Sequence, residues 1–327
     1  MHHLTKDFLK VTEEAAIQTW SWIGRGNAVG ADQAVTASIR NNLNQINMQG
    51  VIVIGEGEII KAPMLNIDEK AGKGYGSKLD IAVAPIDGAS PTAEGRRNAI
   101  TVIAAAPKGS LLHAPDMYME KIIVAKDAKG VIDIDAPLIE NLGAVAKVKG
   151  KRMEEMCVLI QDHPRHGGVI RMMRENGVRV ELFKDCDIIK SLLPCVNPDK
   201  YDMLYNIGGS SEGVLSAVAI KCLGGEMQAR LEIHNEEEYN CCLQMGLAHP
   251  KIALRHKHLV ASEQGLFVAT AITDIEFLKG IQIDSSYIKN QSLMIDNESG
   301  NLQIVKSLRQ RDGSLLLKEV FTYRDLL

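Results

Sequence analysis

The sequence predicts a layered α/β fold, and three observations carry that expectation. Two apolar runs, residues 51–54 (VIVI) and 79–84 (LDIAVA), each end in small and acidic residues, which is how a buried strand meets a turn. A third run, residues 99–106 (AITVIAAA), has the length and composition of a strand covered on both faces. Beyond it, strand-like segments at 156–160, 178–183 and 203–207 alternate with helix-like segments at 167–176 and 211–222. A chain of 327 residues can bury a substantial core as one large domain or as two lobes.

Taken in order, residues 5–22 space Phe8, Val11, Ala15, Thr19 and Trp22 as one face of an amphipathic helix, which Gly24-Arg25-Gly26-Asn27 ends. A second helix is expected over 31–46, with Val35, Ile39, Leu43 and Ile46 on its apolar face. Asp32 then falls in the first turn, where a carboxylate meets the positive end of the helix dipole. Between the first two strands, AGKGYGSK does not fit a dinucleotide fingerprint and reads as a hairpin or loop. Pro137 and the 143–151 stretch mark a lobe boundary. The segment 231–264 is rich in His, Glu and Cys with patchy helical spacing, and strands are expected at 266–272, 291–295 and 302–305.

Composition excludes several classes of function. A net charge of −4 and 4% aromatic residues give neither an electrostatic footprint nor a stacking platform for nucleic acid. The longest apolar runs are too short to span a bilayer, and MHHLTKDFLK lacks the apolar stretch of a signal peptide. The six cysteines form no C-x-x-C pair and read as reduced thiols of a cytoplasmic protein.

Chemistry concentrates in the turns after the first strands, Gly55-Glu56-Gly57-Glu58 and Pro85-Ile86-Asp87-Gly88. Glycine lets carboxylates and backbone carbonyls close on one hard cation, although spacing alone also fits plain acidic turns. The strings VIVIGEGE, PIDG, LLHAPDMYMEK, PRHGGVI, DCDII and YNIGGSSEGVLSA together resemble the class II fructose-1,6-bisphosphatases of the lithium-sensitive, metal-dependent sugar-phosphatase superfamily. The resemblance covers nearly the whole chain. It implies an α-β-α-β-α fold with two sheet-containing lobes, a metal and phosphate lobe in 1–140 and a sugar-binding lobe in 141–327. It further implies hydrolysis of fructose 1,6-bisphosphate in gluconeogenesis, a Mn²⁺ or Mg²⁺ cofactor, and a homodimer or homotetramer.

Residue by residue, the resemblance makes Asp32, Glu56, Asp87 and Glu212 metal ligands, with Asp87 and Glu56 also catalytic. Gly88 and Ala89 lie at the phosphate end, and Tyr118 corresponds to a substrate-contacting tyrosine. His163-Pro164-Arg165 matches a basic phosphate-gripping K-P-R segment. Asp185-Cys186-Asp187 stands where the family has D-G-D, which reads sugar hydroxyls, and Gly209 precedes Glu212 in the glycine turn. The departures are equally specific. Ala84 replaces a bridging aspartate ligand, and Ala89 replaces the threonine that orients the attacking water. The family's G-R-G-D-K becomes Gly26-Asn27-Ala28, and His163 replaces a lysine, which would make phosphate affinity there pH-dependent. Ser90 is a candidate replacement hydroxyl, but on an extended segment it would point away from the position of Ala89. Asp80 and Glu94 are the other candidates for repair. Two readings follow, a working sugar bisphosphatase and a sugar-phosphate-binding or regulatory paralogue with little turnover.

Overall fold

Helix α1 (His2–Thr19) buries Leu4, Phe8, Val11 and Ala15 along one face, and α2 (Ala28–Leu43) does the same with Ala31, Val35, Ile39 and Leu43. The computed structural model describes residues 1–55 and 65–323. Both helices match the expected periodicity over most of their length, but each lies three residues earlier than expected: α1 ends at Thr19 and leaves Trp22 outside it, and α2 runs from Ala28 to Leu43 and leaves Ile46 outside it. Asn27 caps it, its side-chain oxygen accepting from the Gly30 N–H at 2.9 Å. Asp32 therefore sits beyond the first turn, and the expected stabilisation by the helix end does not apply to it.

The strand β1 (Met48–Ile54) pairs antiparallel with the short β2 (Lys70–Ala71) and parallel with β3 (Ser77–Asp87). AGKGYGSK forms the turn between β2 and β3, as expected. The short helix α3 (Ala89–Glu94) then leads to β4 (Ile100–Pro107). The next stretch holds β5 (Tyr118–Val124), α4 (Leu138–Val148), β6 (Cys157–Gln161), α5 (Gly167–Glu175), β7 (Arg179–Phe183), α6 (Asp187–Val196), β8 (Met203–Gly209), α7 (Ser210–Cys222), β9 (Glu226–Leu231), α8 (Glu236–Gln244) and α9 (His256–Leu259). The chain ends in β10 (Leu266–Ala271), β11 (Gln282–Ile283), β12 (Tyr287–Asp296), β13 (Gln303–Gln310) and β14 (Leu315–Thr322).

Two sheets result, in keeping with the α/β sugar-phosphatase fold. The larger has the order β14-β13-β12-β10-β4-β3-β1-β2, with β11 on β12, and the smaller has the order β7-β6-β8-β5-β9. Contacts divide the chain into Met1–Gly109 with Gln264–Leu327, and Ser110–Glu263. This division differs from a boundary near 140 because β10 returns to pair with β4 and carries the last strands into the first sheet. The stretch around Pro137 and 143–151 is largely helix α4, whose Leu142 and Val145 are buried in the second core.

In the first unit, the α1 face packs with Ile52, Ile81, Val83 and Ile103 into one core. The fully buried Glu13 of α1 holds that helix to the C-terminal meander. It accepts from Arg309 Nη2 at 2.5 Å and Ser307 Oγ at 2.7 Å, and it pairs with Lys318 at 3.2 Å. A buried carboxylate with several charged donors is tolerated, whereas an unpaired one is not.

In the second unit, His256 at the start of α9 is buried and fully bonded. Its Nδ1 accepts the Met227 N–H at 3.1 Å, and Nε2 lies 2.9 Å from the Ala217 carbonyl, to which it donates in the neutral form. Burial pushes its pKa down from 6.5 to about 4. A histidine depressed in this way favours folding fully above its unfolded pKa. That contribution is lost as pH falls through 6.5 towards about 4, because the unfolded state takes the proton first. We expect urea-unfolding stability to fall by about 2–3 kcal/mol over that window through this residue. His256→Gln should show a correspondingly flatter dependence on pH.

Candidate active site

In the first unit, the parallel strands β1 and β3 deliver their carboxyl ends together, with Gly55 after one and Asp87 closing the other. The β3–β4 register slips between Ala84 and Asp87, so Pro85 and Ile86 form an irregularity that re-aims the strand end. Gly88 follows at φ 99°, and a Cβ there would come within 2.4 Å of the Asn98 carbonyl oxygen. Only glycine permits this turn. Glu56 lies outside the described residues.

The residues after Gly88 are helical, and this corrects the picture of an extended segment. Ala89 is the first residue of α3, with Thr92 Oγ1 bonded back to the Gly88 carbonyl at 2.9 Å. Neighbours on a helix are rotated by about 100°, so Ser90 does not point opposite to Ala89. The loop carrying Gly24 and Gly26 is pinned to this helix through Gly24 N–H to Thr92 O at 2.9 Å and Gly26 N–H to Ala93 O at 2.8 Å. Helix α2, which carries Asp32, packs against α3. The altered Asn27-Ala28 turn, Asp32 and the Ala89 helix are thus neighbouring elements of one unit. Asp80 is buried in β3, and Glu94 pairs with Arg96 at 2.5 Å.

In the second unit, β6, β7 and β8 are parallel, and β5 runs antiparallel to β8. The carboxyl ends of three strands therefore meet the start of β5 at one edge, the usual location of a ligand in an open α/β sheet. Tyr118, Arg165, Asp185, Asp187, Gly209 and Glu212 all fall there. The Arg165 guanidinium lies over the Tyr118 ring at 4.4 Å, and its Nη2 donates to Gln161 Oε1 at 3.0 Å. Its buried Nε has no hydrogen-bond partner among the described residues. Pro164 opens a short 3₁₀ turn capped by His163, whose Nδ1 accepts the Arg165 N–H at 3.3 Å. That bond spends on the backbone the nitrogen nearest the turn.

Asp187 is the centre of a buried cluster. Lys121 Nζ makes a short bond to its Oδ2, and Asn206 Nδ2 donates to its Oδ1 at 2.9 Å. Lys121, wholly buried, also reaches the Gly209 carbonyl at 3.4 Å. Cys186 adopts φ 67°, the left-handed region in which the family's glycine is unstrained. A Cβ on Gly209 would lie 1.8 Å from Glu212 Oε2, so glycine is what lets Glu212 fold back over the turn. Burial raises the Glu212 pKa, opposed by the nearby Lys121 charge.

The sequence reading missed Lys121, Asn206 and His166. Lys121 carried a signal, since Met119 and Ile123 share its face of β5 and are fully buried, so period-two alternation points the lysine inward. His166 accepts the Ile207 N–H at 3.0 Å and faces the Gln161 carbonyl at 2.9 Å, which braces the Arg165 turn against β8. Burial holds its pKa below the usual value.

The surviving donors are carboxylates, the oxygen set that suits Mg²⁺ or Mn²⁺. Among the described residues, no three or more His, Cys, Asp or Glu side chains gather closely enough to hold a metal ion. Asp32 and Asp87 in the first unit and Glu212 in the second are oxygen donors of the kind a hard cation takes together with substrate phosphate and water.

A family model described as bacterial fructose-1,6-bisphosphatase, glpX-encoded, matches residues 2–309. The chain is 42% identical over 322 residues to fructose-1,6-bisphosphatase 1 class 2 of Escherichia coli K12, covering 94% of this chain and 96% of the relative. It is 40% identical to the class 2 enzyme of Haemophilus influenzae over the same shares. It is also 40% identical to fructose-1,6-bisphosphatase 2 class 2 of E. coli K12, covering 94% of this chain and all of that relative. Similarity of this extent places the chain in the class II fructose-1,6-bisphosphatase family.

Proposed function

We propose that this protein binds fructose 1,6-bisphosphate and releases the carbon-1 phosphate, as a cytoplasmic gluconeogenic phosphatase that acts as a homodimer or homotetramer. Its turnover is weakened by Ala84 and Ala89. The observation that carries the reading is end-to-end similarity to proteins named for this activity. The cluster of Tyr118, Arg165 and Asp187 at one sheet edge supports it. Class II fructose-1,6-bisphosphatases are metal-dependent phosphatases, and the resemblance makes Asp32, Glu56 and Asp87 of the first unit, and separately Glu212 of the second, the carboxylates that would offer oxygen to Mn²⁺ or Mg²⁺. When bound, such a cation neutralises phosphate charge and acidifies water.

The chain's own groups have separable tasks. Arg165, stacked on Tyr118, offers a fixed guanidinium to a phosphate and can bind it bidentately. Asp187 and Asp185 accept from sugar hydroxyls, and the bond from the Lys121 ammonium holds the Asp187 carboxylate in place. Gly88 leaves room for a phosphate at the end of β3. Ala84 accepts no cation, and Ala89 has no hydroxyl with which to orient water. The Ala84 and Ala89 substitutions favour a second reading, a sugar-phosphate-binding or regulatory paralogue with little hydrolysis.

Phosphate release from fructose 1,6-bisphosphate with Mn²⁺ separates the two readings. We expect Ala84→Asp/Ala89→Thr to exceed the wild type by about 10²-fold or more in kcat/KM, the scale associated with restored ligands. Enzyme-like wild-type turnover that the double change does not improve would contradict the assigned roles. A second expectation concerns Asp187. Lys121→Met should destabilise the protein by about 3–5 kcal/mol in urea unfolding, because it strands a largely buried carboxylate. Adding Asp187→Asn should recover part of that loss. A further additive loss would show that the pair is uncoupled.

A further inference from the structure

On the first unit, at the β2 edge of its sheet, lies a cavity of about 480 Å³ lined by Lys70, Lys73, Lys78 and Lys108, with Gln49 and Val51 among its other walls. The volume lies in the range of small-molecule sites. We propose that this cavity binds a small molecule carrying two or more phosphate groups, at a site separate from the residues assigned to catalysis.

The four lysines come from different parts of the chain. Lys70 is in β2, Lys73 in the glycine turn, Lys78 in β3 and Lys108 just after β4. Their backbones are tied together, since Lys108 N–H donates to Lys78 O at 3.0 Å and Lys73 N–H to Ile46 O at 3.0 Å. Gly74 N–H is likewise bonded to Met48 O at 3.1 Å. The Lys73 and Gly74 amides are therefore spent within the protein, and the ammonium groups supply the attraction for an anion. None of the four ammonium groups has an ion pair among the described residues, and no acidic residue lines the cavity. The neighbouring Glu69 is engaged by Arg40, with its two oxygens at 2.6 and 3.0 Å from the guanidinium.

Four like charges gathered around one hollow repel each other unless an anion joins them. A single phosphate brings about −1.5 to −2 charges, so two such groups match the four lysines. Lysine binds phosphate as a point charge and needs no fixed fork. The remaining volume and the Val51 wall leave space for the body of an organic phosphate.

Pyrophosphate is the simplest probe. Calorimetric titration of the full chain in EDTA at about 0.1 M salt removes the divalent cation and screens diffuse surface attraction. We expect saturable binding at least tenfold tighter than that of inorganic phosphate. Lys73→Ala/Lys78→Ala should weaken it tenfold or more with an unchanged thermal melt, because both side chains are exposed. Arg165→Ala should retain it, which separates this cavity from the candidate active site. Absence of saturable binding at millimolar pyrophosphate, a loss below tenfold in the double lysine variant, or an equal loss in Arg165→Ala would each overturn the proposal.

Discussion

The second unit is organised around a charge that cannot reach water. Lys121 lies on β5, one strand in from the edge of its sheet, wholly buried, and its ammonium must find partners within the fold. Asp187 at the start of α6 and the Gly209 carbonyl at the end of β8 supply them, and Asn206 completes the carboxylate. Satisfying one cation thus fixes two strand ends and the first turn of a helix. Tyr118, three residues before the lysine on the same strand, is thereby held at the same edge as Arg165. The groups proposed to read a sugar phosphate are positioned by a demand for charge balance.

The first unit has been altered in a different way. Its backbone devices persist: Gly88 still makes a turn that no other residue permits, and the Gly24–Gly26 loop still docks on α3. The positions at which the resemblance expects groups acting on phosphate and water carry Ala84 and Ala89. Both residues are small and apolar, Ala84 buried in β3 and Ala89 partly buried against the core at the start of α3. The fold of this unit is therefore compatible with alanine at both positions.

Much of this was legible in the sequence because it rests on periodicity. The apolar strands, the β/α alternation and most of the α1 and α2 faces appear where spacing puts them, whereas Trp22 and Ile46 fall beyond the helix ends. What escaped depends on contacts distant in sequence. The start of α2 was set by the Asn27 cap rather than by its apolar face, which moved Asp32 out of the first turn. Helix α3 is too short to show a period, so the segment around Ala89 read as extended. Strand β14 carries exposed Leu315, Leu316 and Leu317 with no alternation to reveal it. The division of the chain depends on β10 pairing with β4, a contact no local pattern encodes. Among the candidate site residues, Arg165 and Asp187 stand in strings that resemble the family, whereas His166, which braces the Arg165 turn, and Asn206, which bonds Asp187, have no motif of their own.

We propose that Arg165, Tyr118 and Asp187 of the second unit hold a sugar phosphate even when no cation is bound. Calorimetric titration of fructose 6-phosphate into the EDTA-treated protein tests it most directly. The account predicts saturable binding by the wild type without metal, weakened at least tenfold in Arg165→Ala, in line with loss of a charge-assisted contact. No binding by the wild type in EDTA, or equal binding by Arg165→Ala, would contradict it.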